Sequence, residues 1–182
     1  MKSQQKKIKN QIAEEILRYG GEVIRSDAFR ASSQETHHLK GNLADHILNV
    51  TIAGVSFCHR LQKKRIEVDE KTVVIACLCH DLGMVGRNEK YESRLKSWRQ
   101  HPEESLKQAK AICPELDDKT SQAITTHMWP IAGGLPRSRE GRVVLAADKY
   151  ASMIDWISYV KGEPWQREIK EAIQKKGGNG NE

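Results

Sequence analysis

Six side chains between positions 46 and 148 are of the kinds that bind a metal: His46, His80, Asp81, His101, His127 and Asp148. Imidazole nitrogen combined with carboxylate oxygen suits Fe, Mn, Zn or Ni. Such mixed sets recur in hydrolytic metal centres. The sharpest local feature is His80-Asp81, which follows the apolar run Val73 to Cys79. An ionised carboxylate is costly to bury without a partner, and a bound cation removes that cost. Asp148 repeats the pattern after Val143-Val144-Leu145-Ala146-Ala147. By contrast, His59 lies among Arg60, Lys63, Lys64 and Arg65 and reads, like His37, as an ordinary surface histidine.

The elements that carry these residues read as helices throughout. Ile8, Ile12, Ile16 and Leu17 recur at helical spacing between Gln4 and Arg18, and Gly20-Gly21 reads as the stop. Ser26 to Gly41 is polar and reads as a loop. Asn42 to Arg60 carries Leu43, Ile47, Val50 and Phe57 on one stripe. Asp69 reads as the cap of the next helix, whose apolar residues face all directions, as in the centre of a bundle. His101-Pro102-Glu103-Glu104 reads as a helix start, with Pro at the first position and acids near the positive end of the dipole. Asp117 or Asp118 opens a helix to about Met128. Ile131 to Arg139 is a loop, Glu140 to Val160 the last long helix, and Pro164 to Ile173 a short amphipathic piece. With no alternating strand pattern, the predicted fold is all-α, with six to eight helices. The expected divisions are an N-terminal helix and loop (1–36), a core (37–160), a C-terminal helix (161–174) and a disordered tail (175–182).

Composition excludes several classes. The apolar run Val73 to Cys79 is too short to span a bilayer. The first fifteen residues lack the apolar stretch of a secretory signal. Four cysteines in 182 residues, with no CxxC, do not make a disulfide framework, so reduced thiols and a cytoplasmic location are expected. The net charge of +6 comes largely from lysines near the two ends, and aromatics are only 5%. Base-stacking on nucleic acid is therefore disfavoured.

The ordered set resembles the HD-domain metal-dependent phosphohydrolase superfamily. The matching pieces are Gly41-Asn42-Leu43-Ala44-Asp45-His46, Ala76-Cys77-Leu78-Cys79-His80-Asp81-Leu82-Gly83, His101-Pro102-Glu103, Ile124-Thr125-Thr126-His127 and Leu145-Ala146-Ala147-Asp148. A finer likeness is to small stand-alone bacterial HDIG-type proteins, through His37-His38-Leu39-Lys40-Gly41, His127-Met128-Trp129-Pro130 and Pro136-Arg137-Ser138-Arg139-Glu140. The resemblance implies a compact helical bundle with the metal site between its central helices. It implies His46, His80 and Asp148 on one ion, His101 and His127 on a second, and Asp81 bridging them as the catalytic carboxylate. The cofactor would then be one or two divalent transition-metal ions per chain (Fe, Mn, Ni, Co or Zn).

The branch that hydrolyses cyclic dinucleotides has a second His where this chain has Met128, and a Lys where it has Met84. That substrate is therefore disfavoured, and the second ion is left one ligand short. The implied activity is hydrolysis of a small phosphate mono- or diester, a nucleotide among the candidates. A di-iron oxygenase of HD type and a non-catalytic nucleotide-binding module are the alternatives. Candidate contacts to the substrate are His38 at the mouth, Arg87, Arg139 and Lys149, since cationic side chains suit phosphate.

Overall fold

The computed structural model describes residues 2–37, 41–161 and 167–178. Its axis is α4 (Glu70–Cys79). Asp69 caps this helix, its carboxylate accepting the Thr72 N–H at 3.2 Å and the Thr72 hydroxyl at 3.0 Å. Every residue from Thr72 to Cys79 is buried, because helices pack on α4 from all sides. These are α1 (Lys2–Arg25), α3 (Leu43–Lys63), α6 (Arg94–Ile112), α7 (Asp118–Thr126) and α8 (Arg139–Lys161). That surround is the reason the sequence of α4 has no polar face. Each fully buried aliphatic side chain here, such as Leu78, contributes roughly 1.5–3 kcal/mol.

Asn42 caps α3, its side chain accepting the Asp45 N–H at 2.7 Å, and α3 packs against both α4 and α8. On the outside, α9 (Arg167–Gly178) lies along α1. A 3-10 turn at Leu82–Met84 follows α4 and packs under α6, and the short helix α5 (Arg87–Lys90) comes after it. The all-α fold expected from the sequence is what the chain adopts. No helix among the described residues is long and apolar enough to cross a membrane. Cys58, Cys77, Cys79 and Cys113 are all free thiols.

Several local expectations are corrected. The first helix does not stop at Gly20-Gly21 but runs on to Arg25. A Cβ on Gly20 would lie 2.0 Å from Leu78 Cδ1, so the glycine serves the close approach of α1 to α4 and not a helix end. Ser26 to Gly41 is not wholly loop. Ser26 caps α2 (Asp27–Ser32), its hydroxyl accepting the Phe29 N–H at 3.2 Å, and Thr36–His37 pairs antiparallel with Gly41–Asn42. His101 does not begin a helix. Ser93 caps α6 eight residues earlier, and Pro102 lies inside it. Helix α9 continues through Lys175-Lys176 to Gly178, past the expected end at 174. His59 is a strut: its Nε2 lies 2.8 Å from Glu15 and 3.7 Å from Glu70, linking α1, α3 and α4.

Candidate metal centre

The helices place the six candidate ligands at one point. His46 lies in the first turns of α3, His101 in the middle of α6 and Asp148 in the middle of α8. His80 and His127 are each the residue that caps the C-terminus of a helix, α4 and α7. The last carbonyls of a helix have no intrahelical partner. These two imidazoles use them: His80 Nδ1 donates to the Cys77 carbonyl at 2.7 Å and His127 Nδ1 to the Ile124 carbonyl at 2.6 Å. His101 Nδ1 donates to the Ser97 carbonyl at 2.8 Å. A nitrogen that donates at Nδ1 leaves Nε2 as a lone pair. All four histidines therefore have a defined tautomer or a carboxylate at Nδ1, and their Nε2 atoms face inward.

Asp81 stands between them. Its Oδ2 lies 3.4 Å from His80 Nε2 and 3.8 Å from His46 Nε2. Its Oδ1 lies 3.1 Å from His101 Nε2 and 3.4 Å from His127 Nε2. Asp148 Oδ1 adds to the first side, 3.4 Å from His46 Nε2 and 3.9 Å from His80 Nε2. Two buried trios result, His46/His80/Asp148 and Asp81/His101/His127, each with ligand atoms within 4.8 Å of one another.

Two details fit cations at this place. His80 Nε2 is buried with no hydrogen-bond partner among the described residues. His101 Nε2 and His127 Nε2 face each other at 2.9 Å, although both rings already use their Nδ1 protons. Two lone pairs at that separation repel unless a positive centre lies between them. Borderline metals with imidazole and carboxylate ligands supply such a centre.

The electrostatics agree. With no metal bound, burial disfavours an ionised Asp81, yet a proton carried by His80 and the close approach of His101 and His127 hold its carboxyl well below the usual range. Burial acts likewise on Asp148, and the His46 bond with the His80 and Lys149 charges pushes it far down. Burial would lower His46, but bonds to Asp148 and Asp155 win and raise it to about 10. With no metal bound, His46 thus adds stability that is full below its ordinary value of 6.5 and lost as pH rises through about 10. A metal must displace this proton. Metal uptake is expected to release at least one proton near neutrality, and affinity should rise about tenfold per pH unit between pH 6 and 8. Calorimetry in buffers of different ionisation enthalpy measures the release, and a pH-independent affinity would contradict this assignment.

Comparison with known proteins agrees with this geometry. A family model described as HD domain matches residues 43–153, well over half of the chain. The chain belongs to the HD domain family. HD domains bind divalent metals, and most are metal-dependent phosphohydrolases. No curated protein and no solved structure matches the chain. The HD span contains all six candidate ligands.

The substrate candidates fare differently from the ligands. Lys149 lies beside the cluster: its Nζ donates to Asp148 Oδ2 at 2.8 Å, and its side chain is half exposed. Arg139 is not. It lies nine residues before Asp148, about 14 Å along the helix at 1.5 Å per residue, and its guanidinium is bound to the Glu67 carbonyl near the far end of α4. Arg87 opens α5 and is partly exposed. His38 lies outside the described residues. Sequence reasoning missed Asp155 and Asn49. Asp155 Oδ2 lies 3.1 Å from His46 Nδ1, and Asn49 Nδ2 donates to Asp155 Oδ1 at 2.5 Å. Their spacing carried the signal: Asn49 is three residues after His46, and Asp155 seven after Asp148, so each shares a helix face with a ligand.

Proposed function

We propose that this HD domain is a metal-dependent phosphohydrolase acting on a small phosphate mono- or diester, a nucleotide among the candidates. The observation that carries the reading is the division of Asp81, whose two oxygens face separate histidine groups. His46, His80 and Asp148 would hold one divalent ion, and His101 and His127 a second, with Asp81 shared between them. When bound, such ions polarise a phosphoryl oxygen and supply hydroxide at neutral pH.

The chain's own groups do the rest. His80 and His127 are fully buried, which excludes water from the ligands' inner side. Asp81 and Asp148 bring two negative charges, fewer than a pair of divalent ions would bring, so a phosphate ester meets a positive site. Lys149 extends the positive potential to the exposed side and can bind a phosphate oxygen. The free cysteines support the expected reducing, cytoplasmic setting. The finer likeness to stand-alone HDIG-type proteins fits the same reading.

The test is release of phosphate or nucleoside from a panel of phosphate mono- and diesters, with Mn(II), Fe(II), Co(II) or Ni(II) added to stripped protein. Metal-dependent and oxygen-independent turnover is expected. No turnover of any ester by fully loaded protein would sink the reading, and turnover that requires oxygen would move it to the di-iron oxygenase. In the same assay Lys149→Ala is expected to raise KM about tenfold, the equivalent of one charge-assisted hydrogen bond, with little change in kcat. An unchanged KM removes Lys149 from the substrate.

A further inference from the structure

Three of the four histidines in the centre hold their Nδ1 proton against a neutral backbone carbonyl, of Cys77, Ser97 or Ile124. His46 alone holds it against a carboxylate, Asp155 Oδ2 at 3.1 Å. Asp155 is in turn fixed by Asn49 Nδ2 on its other oxygen. Asp148 and Asp155, two turns apart on α8, clasp His46 between them, with Asp148 Oδ1 3.4 Å from Nε2. A carboxylate behind an imidazole fixes the ring and raises the basicity of the nitrogen that binds metal. Among the described residues the other trio has no counterpart. Its only carboxylate is Asp81, which it shares. Asp155 also lies just beyond the matched family span of 43–153.

We propose that Asp155 is a positioning residue whose charge, acting through His46, makes the two halves of the centre unequal, so that the His46/His80/Asp148 half fills first. The inference rests on the reading of the two trios as a metal centre. Asn49 holds Asp155 in line, and the negative charge at Nδ1 strengthens His46 as a ligand.

The experiment is a Co(II) titration of stripped full-length chain, followed by calorimetry and by the visible absorption of bound Co(II). Wild type is compared with Asp155→Asn and with the exchange Asn49→Asp/Asp155→Asn. In the exchanged variant the residue at 155 still accepts from His46 Nδ1 and donates to the residue at 49. Both hydrogen bonds survive, and only the charge moves away from His46. A parallel set carries His127→Ala, which disables the other half and leaves one binding event to read.

Wild type is expected to bind Co(II) in two resolved steps. Both Asp155 variants should weaken the first step by about 10–100-fold, leave the second little changed, and shift the Co(II) absorption of the first. The loss should persist in the His127→Ala set. Recovery of wild-type affinity in the exchanged variant would overturn the proposal, because geometry alone would then suffice. Two equal steps in wild type would overturn it as well. Absence of any Co(II) binding by wild type would instead overturn the metal-centre reading itself. Circular dichroism and melting curves report folding. Should Asp155→Asn alone fail to fold, the exchanged variant, which keeps both bonds, still decides the matter.

Discussion

Asp81→Ala is expected to empty both halves of the centre and to lower kcat/KM by on the order of 10³–10⁴. The figure follows from the several kcal/mol that metal ions give to a charged transition state, at about 1.4 kcal/mol per tenfold. No other ligand should have this reach, because Asp81 sets its two carboxylate oxygens against the two histidine groups, at 3.4 Å from His80 and 3.1 Å from His101. His127→Ala should disable one half only. Elemental analysis of protein purified without tag-derived nickel separates the cases: about two ions per chain in wild type, about one in His127→Ala and none in Asp81→Ala. Wild-type metal content and turnover in Asp81→Ala would refute the bridging role.

Removal of metal should also cost a large part of the stability. The six ligands come from α3, α6 and α8 and from the ends of α4 and α7, so the unfolded chain scatters them and cannot bind with comparable affinity. A ligand that binds only the folded state stabilises it by about 4 kcal/mol at a thousand times its Kd. For a chain of this length each kcal/mol moves the melting temperature by roughly 2–4 °C, so roughly 8–16 °C separates loaded from chelated protein. Differential scanning calorimetry with saturating Mn(II) against EDTA measures it, and coincident transitions would argue that the cluster holds no metal in solution.

The centre was legible because its residues break local rules in ways that need a reason. Asp81 and Asp148 are acids at the end of, or inside, apolar helices, and both prove buried among histidines. What escaped was set by distance in the chain. Asp155 looks like a solvent-facing acid beside Trp156, and only the fold shows that its partner is 109 residues away. Arg139 misled in the opposite sense: close to Asp148 in sequence, it is carried away by the rise of the helix and tied to Glu67. Gly20-Gly21 carries the ordinary signal of a helix end, and the close approach of Leu78 overrides it. Pro102 with Glu103-Glu104 carries the ordinary signal of a helix start, yet the cap is made by Ser93, and Pro102 lies inside α6.

The wrapping of α4 by five other helices bears on how the centre opens. Amides in such an element exchange with solvent only when the whole domain unfolds, whereas peripheral pieces such as α2 and α5 open in smaller excursions. His80 and Asp81 hang from the end of this most protected segment, and Gly83, just beyond, is pressed against the α6 backbone, where a Cβ would lie 2.5 Å from the His101 carbonyl oxygen. The half-exposed Lys149, beside Asp148 on α8, marks the side of the centre that faces solvent. Any ion or substrate that the centre takes would reach it from that side, while the deepest ligands stay fixed for as long as the domain is folded.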